Sequence, residues 1–411
     1  TKVLLNNGDL SKTEIVWFYP ASMTQNRFNK FKAEWENTFA TLFGAPISNI
    51  IAASESVAPY YYHKAKKGAT STVVSVDIGG GTTDVLIVDK GEPKYLTSFR
   101  FAANTIFGDG YSYDSDSNGF VNKYKDIITN QLETNNLRGL KAVLKSVLDK
   151  RVSTDVIAFL FSLASNKEIK KEKVEINFAK MLADDNRGKY VVILFYVAIV
   201  YHIAQLMKAK GFDMPRHMTF SGNGSKVLNI LSTNDATLVR LTKIIFEEIY
   251  AQSYSIDGLD IIRPANSKES TCKGGIILTP FQSQDYGEIK DMKTILIGTD
   301  NEKFADVHMT YNDVTEADLD SVVDVIKEYI EFTFKLDKKF SFYDNFDVDR
   351  SIMNKVKDLC YRDIRTYLEN GLAIKKSEIA QDGADDNLEE TLFFYPLVGI
   401  INAVVRNIYQ M

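Results

Sequence analysis

Residues 73–89 read Val-Val-Ser-Val-Asp-Ile-Gly-Gly-Gly-Thr-Thr-Asp-Val-Leu-Ile-Val-Asp, and the rest of the chain is understood from them. Val73, Val74 and Val76 form one short apolar run and Val85 to Val88 another. Both are rich in β-branched residues, as buried strands are. Between them stand Gly79, Gly80 and Gly81, then Thr82 and Thr83. Glycine lets a backbone N–H approach another molecule closely. A row of such amides, helped by the threonine hydroxyls, makes a concave anion nest. Asp77 sets a carboxylate at the end of the first strand, beside whatever anion sits there. Phosphate with a divalent cation suits that pairing, because Mg²⁺ takes oxygen ligands and keeps several of its waters. The plainer alternative is an ordinary glycine-rich hairpin. Carboxylate, triple glycine and paired threonines between two apolar strands weigh against it.

Downstream, Lys90-Gly91 reads as a turn and Lys94–Arg100 as a third strand, so the three strands form an antiparallel meander. Upstream, Glu14–Tyr19 reads as a strand ended by Pro20, and Ile50-Ile-Ala-Ala as another. Phe28, Phe31, Trp35, Phe39 and Leu42 recur at helical spacing between them. Helices and strands interleave, which predicts an α/β unit. From Asn122 to about Lys210 the pattern is helical. Within it Tyr190–Met207 is nearly continuously apolar, but Tyr196, Tyr201, His202 and Gln205 interrupt it, which predicts a buried core helix in place of a membrane span. Met218-Thr-Phe is a brief strand followed by a second glycine loop, Ser221-Gly-Asn-Gly-Ser-Lys. Gly274-Gly275 interrupts a later helical pattern, where glycine costs ~1 kcal/mol against alanine and calls for a close approach of ligand or backbone. Asp318–Phe334 and Ile352–Leu368 have helical spacing, Lys375–Glu390 reads as an acidic linker, and Leu392–Met411 as a docking helix.

A chain of 411 residues exceeds the ~250–300 at which one core stops growing, so more than one compact unit is expected. The predicted division is 1–72, then 73–279 with a helical insertion at about 120–210, then a helical region 280–411. The 49 basic and 54 acidic residues are intermixed, for a net charge of −5, which provides no basic stripe for nucleic acid. Cys272 and Cys360 form no C-x-x-C, and His63, His202, His217 and His308 lack metal-ligand spacing. That usage fits a reducing, cytoplasmic setting without zinc or a disulfide framework. The chain enters Lys-Val-Leu-Leu directly from Thr1 with no leader, and the start reads as internal. Asp114-Ser-Asp-Ser-Asn-Gly matches the first half of a calcium loop, but Lys125 stands where the bidentate glutamate belongs, so a solvated loop is expected.

The two glycine loops together resemble the nucleotide-binding core of the actin and heat-shock-chaperone ATPase superfamily, most closely over residues 14–112 and 216–279. Asp77-Ile-Gly-Gly-Gly-Thr-Thr-Asp is similar to its second phosphate loop, and Phe220-Ser-Gly-Asn-Gly-Ser-Lys to its adenosine loop. Ala53-Ser-Glu-Ser-Val-Ala-Pro-Tyr resembles the segment whose acidic residue, here Glu55, faces the attacking water. Phe107-Gly-Asp-Gly-Tyr resembles a glycine turn near the phosphates. The resemblance implies an actin-like fold of ribonuclease-H-like subdomains closing on ATP or ADP with Mg²⁺. It implies Gly79, Gly80, Gly81, Thr82 and Thr83 on the phosphates, with Gly108 nearby. Asp77 would serve Mg²⁺ and catalysis, Glu55 the water, and Gly222, Gly224, Ser225 and Lys226 the adenosine. Nothing in Thr1–Thr13 matches the superfamily's first phosphate loop, so ATP hydrolysis is expected only where that loop is supplied. The expected function is a nucleotide-dependent conformational switch acting on a protein partner, or on self-assembly, through 280–411. The alternatives are a non-hydrolysing scaffold that keeps the fold and, more remotely, a small-molecule kinase.

Overall fold

The computed structural model describes residues 13–20, 25–67, 72–111, 118–255, 258–264, 267–278, 310–382, 388 and 390–411. Strands β1 (Ile15–Tyr19) and β2 (Ile50–Ser54) pair in parallel, with Ile15 opposite Ile50 and Tyr19 opposite Ser54. A parallel pair needs a crossover, and helix α1 (Gln25–Phe43) supplies it. The aromatic stripe of α1 explains its placement, since Trp35 stacks on both Trp17 of β1 and Phe39. Helix α2 (Ala58–Lys67) then leads to the main sheet.

That sheet begins with the predicted meander, β3 (Val73–Ile78), β4 (Thr83–Asp89) and β5 (Glu92–Phe99), each antiparallel to the last. Short helix α3 (Ala103–Phe107) follows. A helical excursion comes next, formed by α4 (Gly119–Thr134), α5 (Arg138–Asp149), α6 (Ser153–Leu163), α7 (Lys167–Lys171), α8 (Phe178–Ala183) and α9 (Lys189–Ala209). The chain returns as β6 (His217–Ser221), α10 (Leu228–Leu231), α11 (Asp235–Tyr250), β7 (Asp260–Ile262) and α12 (Ser267–Leu278). Strand order is β5-β4-β3-β6-β7, with β6 parallel to β3 and β7 parallel to β6. A meander extended by two parallel strands is the mixed, ribonuclease-H-like arrangement that the resemblance implied. The fold is α/β with mixed sheets and a C-terminal helical region.

Side chains alternate faces along a strand, and here both faces are covered. Val73, Leu86, Val88 and Leu96 pack with Val57, Tyr60 and Tyr61 on one side. Val74, Val76, Ile78, Val85 and Ile87 join the larger core on the other. Helix α9 lies in that core. By length and composition it could cross a membrane, the one such helix among the described residues, yet 94% of its apolar window is buried inside the protein. It is the core helix that its interrupting polar residues predicted.

The C-terminal helices are α13 (Glu316–Phe340), α14 (Phe342–Phe346), α15 (Met353–Tyr361), α16 (Ile364–Asp382) and α17 (Phe394–Asn407). Thr315 and Asp318 form a capping box that starts α13. The single helix expected over Ile352–Leu368 is broken in two. Arg362 is extended and Asp363 is left-handed (φ +56°), a conformation that a short polar side chain tolerates. The expected acidic linker is helical as far as Asp382, and 383–387 lie outside the described residues, as do 114–117 of the calcium-like loop and Thr1–Lys12. Phe394 of α17 stacks on Phe99 at 4.0 Å and lies 4.7 Å from Phe101. These helices therefore share the core of the sheet.

Candidate functional site

The triple glycine forms a tight turn between β3 and β4, closed by the Gly79 N–H donating to the Thr82 carbonyl at 2.9 Å. Gly80 and Gly81 are exposed at its tip. Among the described residues, no backbone hydrogen bond uses the N–H groups of Gly80, Gly81 or Thr82. The carbonyls of Gly79 and Gly80 are in use, accepting from the amides of Ala103 (3.3 Å) and Asn104 (2.8 Å). The turn is thus held from behind through its acceptors while its donors point free.

The glycines here divide by cause. A Cβ on Gly79 would crowd the Thr82 carbonyl at 3.1 Å. A Cβ on Gly80 would meet only the Asn104 side chain at ordinary contact distance, and one on Gly81 would meet nothing within 4 Å. Neither has positive φ. Among the described residues, neither backbone conformation nor packing requires glycine at the tip.

The second loop is where packing does require glycine. Gly222 has φ +81°, and a Cβ there would strike the Asp77 carboxylate and the Ile78 carbonyl. A Cβ on Gly224 would strike the carbonyl of Gly79. Parallel pairing of β3 with β6 sets Asp77 opposite Ser221, so the two loops leave adjacent strand ends and press together. Ser225 donates from Oγ to the Gly222 carbonyl at 2.7 Å, while Lys226 and Asn223 are exposed.

Asp77 is 9% exposed and pairs in register with Asp84 of β4. Burial pushes its carboxyl up to about 7, and the negative charges of Asp84 and Glu55 push the same way. No donor among the described residues hydrogen-bonds to it. Asp84 is held instead by two serines, Ser56 Oγ donating at 2.8 Å and Ser98 Oγ from β5. Ser56 belongs to the turn after β2, so this bond ties the segment carrying Glu55 to the sheet carrying the glycine turn. Glu55 itself is exposed, its backbone N–H donating to the Tyr19 carbonyl at 3.0 Å. No group of three or more His, Cys, Asp or Glu among the described residues is arranged to hold a metal ion. A cation here would have Asp77 as its buried protein ligand, and a carboxylate buried without a donor is a fitting one.

Two expected residues have other work. The Thr83 hydroxyl is fully buried and donates to the Phe101 carbonyl at 2.6 Å, so its proton is spent inside the protein. Gly108 ends α3, where a Cβ would lie 2.5 Å from the Asn104 carbonyl, and its own carbonyl accepts from the buried Asn118 side chain at 2.8 Å. It is Ala103 and Asn104, five and four residues earlier, that touch the glycine turn. Gly274 of α12 answers the paired-glycine question in the same terms, since a Cβ there would strike the Ala58 carbonyl at the start of α2. Sequence reasoning passed over Asp84 and Asn104. Asp84 ends the quoted motif and was within reach, whereas nothing in the sequence marks Asn104.

No family model and no curated protein matches this sequence. Among solved structures the chain is similar to the ethanolamine utilization protein EutJ from Carboxydothermus hydrogenoformans, at 12% identity and TM-score 0.29, over 65% of this chain and 65% of that one. The chain thus spans less than two thirds of that protein's length. It is also similar to MreB5 of Spiroplasma citri bound to ADP, at 14% identity and TM-score 0.28, over 67% of this chain and 71% of that one. The AMPPNP-bound form of MreB5 is similar at 14% identity and TM-score 0.28, over 69% and 73%.

Proposed function

We propose that this chain binds ATP with Mg²⁺ between the glycine turn and the Gly222–Lys226 loop, and works as a nucleotide-dependent conformational switch. One observation carries the reading: among the described residues, Gly80 and Gly81 present free amides at a tip where no neighbour requires glycine. Backbone donors of this kind suit phosphoryl oxygens. Gly79 to Thr82 would cradle the phosphates, and Asp77 would hold the cation. Bound Mg²⁺ would neutralise phosphate charge next to an acidic wall. Gly222, Gly224 and Ser225 would form the side of the cleft facing the adenosine, with Lys226 at its rim.

The acidic groups supply the remaining roles. Glu55, exposed on a turn that Ser56 and Asp84 anchor to the sheet, would orient the water that attacks the terminal phosphate. A switch needs the site connected to something that responds, and segment 99–104 supports such a connection. Its Ala103 and Asn104 amides hold the glycine turn, Phe99 stacks on Phe394, and Phe101 packs tilted against the same ring. Arg100 bonds to Glu378 and, at 3.4 Å, to Glu390. The helices after residue 310 would pass nucleotide state to a protein partner or another copy of the chain.

Calorimetric titration with Mg-ATP tests the site. Gly80→Val should abolish binding while keeping the fold, because a Cβ at this exposed tip meets only the Asn104 side chain at ordinary contact distance among the described residues. Unchanged affinity in that variant would sink the assignment. Phosphate release by wild type and Glu55→Gln reads turnover separately.

A further inference from the structure

We propose that Asn104 is the residue that distinguishes nucleoside triphosphate from diphosphate at this site. The inference rests on the glycine turn being the phosphate cradle, and names the group that reads what the cradle holds.

Asn104 is placed by its backbone and free at its side chain. Its N–H donates to the Gly80 carbonyl at 2.8 Å, which fixes residue 104 beside the tip. Its amide atoms Oδ1, Nδ2 and Cγ lie 3.6, 3.8 and 4.0 Å from the position a Gly80 side chain would occupy. That position is the space a phosphoryl group would enter to reach the free amides. The side chain is exposed, and no described residue bonds to it. An exposed side chain without a partner contributes little to the fold, so its place beside the tip calls for another reason.

The chemistry of the amide fits the setting. Every charge that acts on Asp77 is negative, so a carboxylate at 104 would add repulsion toward an anion. A carboxamide offers two N–H donors and no charge. Gly79 and Ile78 are pressed against the second loop, where the nucleoside would lie, and Gly80 lies beyond them. The phosphoryl group next to Asn104 is therefore the one farther from the nucleoside, which is the terminal one of a triphosphate.

The experiment compares Mg-ATP and Mg-ADP by calorimetry on the full chain, in wild type, Asn104→Ala and Asn104→Asp. Asn104→Ala should weaken ATP by roughly tenfold, equivalent to 1.4 kcal/mol, and change ADP by less than about twofold. Asn104→Asp should weaken ATP further. Equal losses on both nucleotides, or none on either, would overturn the proposal while leaving the cradle intact. Wild type that binds neither nucleotide would overturn the cradle itself, and this inference with it.

Discussion

Asp77→Asn should make the ligand-free protein more stable at neutral and alkaline pH while abolishing the Mg-ATP binding proposed above. The carboxyl is 9% exposed, has Asp84 opposite and Glu55 near, and is raised from 3.8 to about 7. The folded state then binds the Asp77 proton more tightly than the unfolded chain does. Stability is lost wherever the folded state binds more protons, so this residue costs nothing below about pH 4, increasingly more between 4 and 7, and a constant amount above. At 1.36 kcal/mol for each pH unit, the full cost is about 4 kcal/mol as a ceiling. Asparagine keeps the shape and removes the ionisation. With ~2.1 cal/mol/K of unfolding entropy per residue, a chain of 411 residues carries roughly 0.9 kcal/mol/K, so the Tm gain at pH 8 is at most about 5 °C. Thermal unfolding of both proteins at pH 4.5, 6 and 8, without Mg²⁺ or nucleotide, measures it. The gain should be near zero at the lowest pH and fully developed at the highest. A difference independent of pH, or a variant less stable at pH 8, would refute the reasoning. Stability gained by neutralising the carboxylate proposed to hold the cation is the expected trade at a functional site.

Two further outcomes follow from the packing. Gly222→Ala should destabilise by about 2–3 kcal/mol, through its positive φ and its collision with Asp77 and Ile78, whereas Gly81→Ala should stay within about 0.5 kcal/mol of wild type; denaturant melts compare them. Arg100→Ala should cost about 2 kcal/mol by leaving the buried Glu390 without its guanidinium. Burial already raises the Glu390 carboxyl, so losing Arg100 raises it further and the deficit grows as pH rises above the ordinary carboxylate range, read in the same melts.

The local events were legible because their causes lie within a few residues. The β-branched runs on either side of the triple glycine became β3 and β4, and the aromatic spacing of α1 became its packing on Trp17. Helix ends were less legible. Asp363 breaks a continuous apolar stripe into α15 and α16 because one left-handed residue redirects the chain without altering the pattern on either side.

Sequence alone determined that a carboxylate and a glycine-rich turn share a strand end, and that a second glycine loop follows a later strand. Only the tertiary structure decided what each group is for. Gly222 and Gly224 are small to admit Ile78 and Gly79, more than 140 residues earlier, whereas no described residue crowds a Cβ at Gly80 or Gly81. Asp77 owes its raised affinity for a proton to burial, and to the charges of Asp84 on the paired strand and of Glu55 from the segment after β2. The physical reason is the same throughout. Periodicity shows which face of a strand or helix is covered, but burial, close approach and electric field are sums over whatever the fold brings near.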